Sequence, residues 1–82
     1  MMLTEIDVAA RARKVFSMIF GSEDMSELDE DSHLMDDFGL DSLELIEVIM
    51  GLEVEFDVEI SDEDAERIVT FGDVVTYILA NA

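Results

Sequence analysis

Apolar residues in this chain recur at three- and four-residue intervals, in segments that each open on a side chain able to cap a helix. No proline interrupts them. The first segment opens at Thr4-Glu5-Ile6-Asp7, where Thr4 can accept from the third helical amide. Asp7 stands where Glu or Gln is usual, so the reciprocal half of this capping box is expected to be weaker. Val8, Ala12, Val15, Phe16 and Ile19 form one stripe behind it, and Gly21 is placed to end it in a left-handed turn. A second helix starts at Asp41-Ser42-Leu43-Glu44, with Asp41 as cap and a core stripe of Leu45, Val48, Ile49, Leu52 and Phe56. Ser61-Asp62-Glu63-Asp64 marks a short third helix that buries Ala65 and Ile68. The last opens at Thr70-Phe71-Gly72-Asp73 and packs Val74, Val75, Ile78 and Leu79. Residues 54–60 alternate apolar and acidic side chains as a strand would, but a lone strand has nothing to pair with, so they read as a helix end and loop. The pattern predicts an all-α bundle forming a single domain over residues 1–82.

Residues 21–40 lack a helical stripe. Ser22, Asp24, Ser26, Asp29, Asp31 and Ser32 favour turns, while Leu28, Leu34, Met35 and Phe38 are the expected anchors to the core and Gly39 the turning point. His33 is expected to be a solvated loop residue.

Charge narrows the function. The 82 residues carry 22 acids against 4 bases, a formal charge of −18, yet half the residues are hydrophobic, so the chain is no disordered acidic tail. No Lys or Arg lies between Lys14 and Arg67. Such a field repels nucleic acids and anionic membranes, steers basic partners, and favours diffuse association of divalent cations. There is no cysteine, hence no disulfide, thiolate metal site or Cys nucleophile. The N-terminal stretch lacks the order of a secretory signal and no segment has membrane-spanning length, so a cytoplasmic location is expected. Asp37-Phe38-Gly39 spells a kinase triplet without the glycine-rich loop a kinase needs, and the acidic loop lacks EF-hand register, so no metal site is expected.

Two features could carry chemistry. Leu43, Ile46 and Met50 lie on a face of the second helix adjacent to its core stripe, bordered by Glu44 and Glu47. They suit either a wider core stripe or a docking surface with an apolar centre and a charged rim. Ser42 falls at the first helical position, where its side chain should be exposed and a phosphodiester would sit in the positive potential of the helix end. It equally suits an ordinary helix start. No base or oxyanion hole accompanies it, so it is no catalytic nucleophile and no catalytic residue is expected.

The run Asp37-Phe38-Gly39-Leu40-Asp41-Ser42-Leu43, followed by Glu44-Leu45-Ile46-Glu47-Val48, resembles the Asp-Ser-Leu attachment motif of acyl carrier proteins. The similarity continues through Glu53–Ile68 and Phe71–Ile78, and covers about residues 3–80. The resemblance implies a four-helix bundle with a short third helix and no catalytic activity. It implies that a phosphopantetheinyl transferase moves 4′-phosphopantetheine from coenzyme A onto Ser42, making a phosphoprotein whose arm, not the protein, holds acyl groups as thioesters. It also implies that Asp41, Leu43, Glu44, Ile46, Glu47 and Met50 dock onto the transferase and onto synthases and acyltransferases of fatty-acid, lipid or polyketide biosynthesis, whose docking patches are basic. Chains in several such carriers fold back between the helices. A monomer is expected.

Departures from the family pattern are Phe38, Leu40, Leu45, Val54 and Gly51, the last inside the second helix. They point as much to a specialised lipid or secondary-metabolite carrier as to the general fatty-acid carrier. Peptidyl carriers use the same serine chemistry but are less acidic and often carry Gly-Gly near the serine, which is absent here. The alternative outside the carriers is an acidic helical adaptor that binds basic partners without a prosthetic group.

Overall fold

A capping box closes three of the four helix starts in the computed structural model, which describes residues 3–21 and 28–82. The helices are α1 (Glu5–Phe20), α2 (Ser42–Phe56), α3 (Asp62–Arg67) and α4 (Phe71–Asn81). At α1 the Asp7 amide donates to Thr4 Oγ1 at 3.1 Å. The reciprocal bond from the Thr4 amide to Asp7 Oδ2 is present but long, 3.3 Å, against 3.1 Å for the matching Asp41–Glu44 bond of α2 and 3.0 Å for Thr70–Asp73 of α4. The short α3 has a simple cap, the Asp64 amide donating to Ser61 Oγ at 3.1 Å. α1 ends at Gly21 in the left-handed conformation, φ 62°.

The four-helix bundle with a short third helix is therefore the observed fold, and α1 is its centre, packing against both α2 and α4. Its buried face is Val8, Ala12, Val15 and Phe16, opposed by Val48, Ile49, Leu52 and Phe56 of α2 and by Phe71, Val74, Val75 and Ile78 of α4. The rings of Phe16 and Phe71 meet edge to face with centroids 5.7 Å apart. Ile19 and Leu45 lie at the margins of their stripes and are only half-buried. Leu79 is exposed rather than packed, because it stands one residue beyond Ile78, rotated about 100° away from the stripe facing α1.

Arginines staple α1 to the rest of the molecule. Arg11 donates to the Glu55 carboxylate at 2.9 Å and to the Glu55 carbonyl at 2.7 Å, with its guanidinium 4.5 Å from the Phe56 ring centre. Arg13 donates to the Leu28 carbonyl at 2.7 Å and lies 5.2 Å from the Phe71 ring centre. Gly51, which lowers α2's helix propensity by about 1 kcal/mol relative to Ala, has a packing reason. A Cβ there would lie 2.8 Å from Val15 Cγ1, so α1 and α2 approach too closely for any side chain.

The loop before α2 corrects the expected anchors. Leu28 and Leu34 are buried, but Met35 and Phe38 are exposed and Leu40 takes the inward place. Hydrogen bonds from the Asp37 amide to the His33 carbonyl, 2.8 Å, and from the Leu40 amide to the Leu34 carbonyl, 3.2 Å, wind residues 33–40 into a compact turn. Leu34 and Leu40 close its base inward and the residues between them face out; Gly39, at φ 69°, completes it. The turn is tied to the connection before α4 by the Leu34 amide on the Val69 carbonyl, 2.9 Å, and to the start of α4 by the Phe71 amide on the Ser32 carbonyl, 3.0 Å. His33 is half-buried rather than free in solvent: its Nδ1 accepts from the Asp36 amide at 3.0 Å. The expected turn residues Ser22, Asp24 and Ser26 lie outside the described residues.

After α2 the chain turns at Asp57, φ 53°, and then buries Val58 and Ile60 while Asp57 and Glu59 face solvent. That inside–outside alternation in a loop is the origin of the strand-like pattern; among the described residues the one bridge is His33 with Thr70. α3 buries no residue of its own, Ala65 being half-buried, and Ile68 just beyond it fills the core. Tyr77 of α4 holds it from the side, its hydroxyl 2.9 Å from the Glu59 carbonyl and 3.0 Å from Asp64 Oδ2.

Candidate functional site

The start of α2 is fixed from both sides, which makes Ser42 a precisely placed exposed residue. Upstream, buried Leu40 and the left-handed Gly39 set the chain's approach. Downstream, the Glu44 amide donates to Asp41 Oδ1 at 2.8 Å and the Glu44 carboxylate accepts from the Asp41 amide at 3.1 Å. Ser42 occupies the first helical position with its side chain exposed. Among the described residues its hydroxyl has no hydrogen-bond partner, and the amides of Ser42 and Leu43 take none either. These two N–H groups and the aligned peptide dipoles give the space beyond Ser42 a positive potential in an otherwise acidic molecule.

Among the described residues no side chain hydrogen-bonds the Ser42 hydroxyl to draw off its proton. His33 is occupied within its own turn, Nδ1 accepting from Asp36 and Nε2 3.6 Å from the Asp36 carboxylate. Among the described residues no group of three or more His, Cys, Asp or Glu side chains is placed to hold a metal ion.

Beside Ser42 a groove of about 430 Å³ runs between α2 and α3. Met35, Leu45, Ile46, Ile49, Met50 and Ile60 supply its apolar wall, and Glu53, Asp62 and Glu66 its polar edge. The exposure of Met35 is thus explained: it walls this groove instead of anchoring the loop. The Glu53 carboxylate accepts from the Ile60 amide at 3.0 Å, which fixes the connection under the groove.

The expected docking face is brought together along α2. Leu43, Ile46 and Met50 are 65%, 54% and 60% exposed, so they do not widen the core stripe. Asp41 and Glu47 are exposed around them and Glu44 is half-buried by its cap. Sequence reasoning missed two apolar residues that continue this surface, Val54 of α2 and Met18 of α1. The signal for Val54 was its spacing, four residues after Met50; for Met18 there was none short of knowing how α1 and α2 cross. Among the described residues no helix is long and apolar enough to cross a membrane.

Comparison with known proteins bears on the family and the fold. The family profile described as the phosphopantetheine attachment site matches residues 10–78. A Mycobacterium tuberculosis protein assigned as an acyl carrier protein is 34% identical, with 89% of this chain and 96% of that chain covered and a TM-score of 0.81. The acyl carrier protein of Enterococcus faecalis is 36% identical, with 98% and 100% covered and a TM-score of 0.79. A profile spanning most of the helices, together with sequence identity above the level of fold likeness alone, places this chain in the acyl carrier protein family, whose prosthetic group is phosphopantetheine.

Proposed function

We propose that Ser42 is the residue that receives 4′-phosphopantetheine, transferred from coenzyme A by a phosphopantetheinyl transferase. The residues present fit that group. The Ser42 hydroxyl is exposed and uncommitted, and the free amides of Ser42 and Leu43 would hold a phosphodiester at the positive end of α2. When bound, the group supplies a terminal thiol that carries an acyl group as a thioester. The apolar wall of the α2–α3 groove would shelter the proximal part of that acyl group from water.

On this reading the chain acts as a single, monomeric cytoplasmic carrier domain that presents acyl intermediates to fatty-acid, lipid or polyketide biosynthetic enzymes. Asp41, Glu44 and Glu47 steer and orient basic patches on those enzymes and on the transferase, while Leu43, Ile46 and Met50 supply the apolar contact. The departures from the family pattern sit where they can bear on cargo and partner. Leu45 lines the groove, Phe38 stands exposed before α2, and Val54 extends the exposed strip.

The observation carrying the proposal is the unpartnered Ser42 hydroxyl at the capped start of α2. Its test is the mass of the protein after incubation with coenzyme A and a phosphopantetheinyl transferase. The native chain should gain one phosphopantetheine and Ser42→Ala none. A native chain that gains nothing would be the acidic adaptor instead.

A further inference from the structure

The apolar strip on α2 does not stop at Met50. Leu43, Ile46, Met50 and Val54 follow at intervals of three, four and four, a straight seam about 16 Å long. At its far end Val54 is 84% exposed, and Met18 of α1, 74% exposed, stands across from it. Between them lies a trough of about 370 Å³, distinct from the groove beside Ser42 and lined almost wholly by apolar atoms. Gly51 makes its floor: with no side chain there, Val15 and Ile19 of α1 come up against the α2 backbone.

The charges around this trough differ from those of the rest of the surface. Arg11 bonds Glu55 beside it, and by helical register Lys14 projects from the same side of α1 as Met18. By the same register Glu47 lies on the side of α2 that carries Gly51 and Val54. The trough is thus an apolar site in a nearly neutral patch, joined end to end with the acidic start of α2. A second copy, carrying −18 itself, is repelled from such a seam, as is an anionic membrane. What matches is a helix with an apolar stripe of about three turns and basic residues along the flank that meets Asp41, Glu44 and Glu47.

We infer that the Met18–Gly51–Val54 trough seats the far end of an amphipathic, basic-flanked helix of a partner protein whose near end lies over Leu43 and Ile46. Met18 and Val54 then select among basic partners that the acidic end alone would attract equally. The inference deepens the carrier reading by naming the form of the partner.

The test is a titration of the ¹⁵N-labelled protein with two synthetic helical peptides that share a leucine stripe, one flanked by lysine and one by glutamate. The lysine-flanked peptide should shift the amides of Met18, Gly51 and Val54 together with those of residues 43–50, and the glutamate-flanked one should shift none. Val54→Asp should weaken binding about tenfold, the loss of one buried aliphatic contact. Because that variant adds a carboxylate, attraction by charge alone would tighten binding, so unchanged or tighter binding overturns the inference. Shifts confined to residues 41–50 overturn it too, as does a dimer in sedimentation without peptide. Phosphopantetheine loading of the native chain, read by mass, separates the two ideas. Loading without trough binding removes the trough and leaves the carrier; trough binding without loading does the reverse.

Discussion

Gly51 is a residue whose absent side chain has two opposing consequences. Replacing it with Ala recovers about 1 kcal/mol of helix propensity, but it drives a Cβ to 2.8 Å from the branched, buried Val15 and to 3.2 Å from Ile19. Valine cannot rotate away in a packed helix, and overpacking of this kind costs about 1–3 kcal/mol. Gly51→Ala is therefore expected to destabilise the protein by about 1 kcal/mol net, read as a lower urea midpoint at unchanged slope. An unchanged or higher midpoint would mean that the two helices separate more easily than their contacts imply. Asp73 balances differently. Burial alone pushes its carboxyl upward, yet the Thr70 and Val69 amides and the Thr70 hydroxyl outweigh that and hold it below the ordinary 3.8.

Among the elements, α3 is the least secured. It buries none of its residues, and Tyr77 is its lateral tie. Burial and the bond to Asp64 both raise the Tyr77 phenol above its usual 10.0, so the tie is present at neutral pH and is lost as the pH rises through that raised value. Tyr77→Phe should speed amide exchange across Asp62–Arg67 while leaving the centre of α1 unchanged; equal acceleration in both would show that α3 does not open by itself. How far the sequence disclosed these elements follows the same division. Caps and stripes are local, so all four helix starts were legible, and so was the exposure of Leu43, Ile46 and Met50 as one of two options. Met35, Phe38 and Leu40 were not, because which leucine or phenylalanine turns inward depends on hydrogen bonds closing the 33–40 turn. The roles of Arg11 and Arg13 were hidden for a related reason. Their acceptors lie 44 and 15 residues away, and a basic side chain on a helix gives no sign that it will fold inward.

For the molecule as a whole, the formal −18 opposes folding at neutral pH. Glu30 carries a local share. Its hydrogen bond to Glu5 and their repulsion, with burial and the charges of Asp31 and Asp29, raise its carboxyl above 4.5. Protonation thus relieves the native state first as the pH falls through that raised value, and stability rises. Asp73 acts in the opposite sense: its contribution is full above 3.8 and disappears as the pH drops through its lowered value. The melting temperature is expected to climb as the pH falls toward the raised Glu30 value, then fall below 3.8 as Asp73 protonates. A profile that only declines from neutrality would contradict this balance.

The central position of α1 also bears on when the protein can form at all. Its two broad contacts are with α2, the next long helix, and with α4, the last of the four among the described residues. A nascent chain leaving the ribosome therefore exposes Val8 and Phe16 before anything exists to cover them. With only α1 and α2 made, Phe16 still lacks Phe71. Synthesis must run through α4 before this core closes, so the newborn chain remains open to chaperones until α4 has emerged.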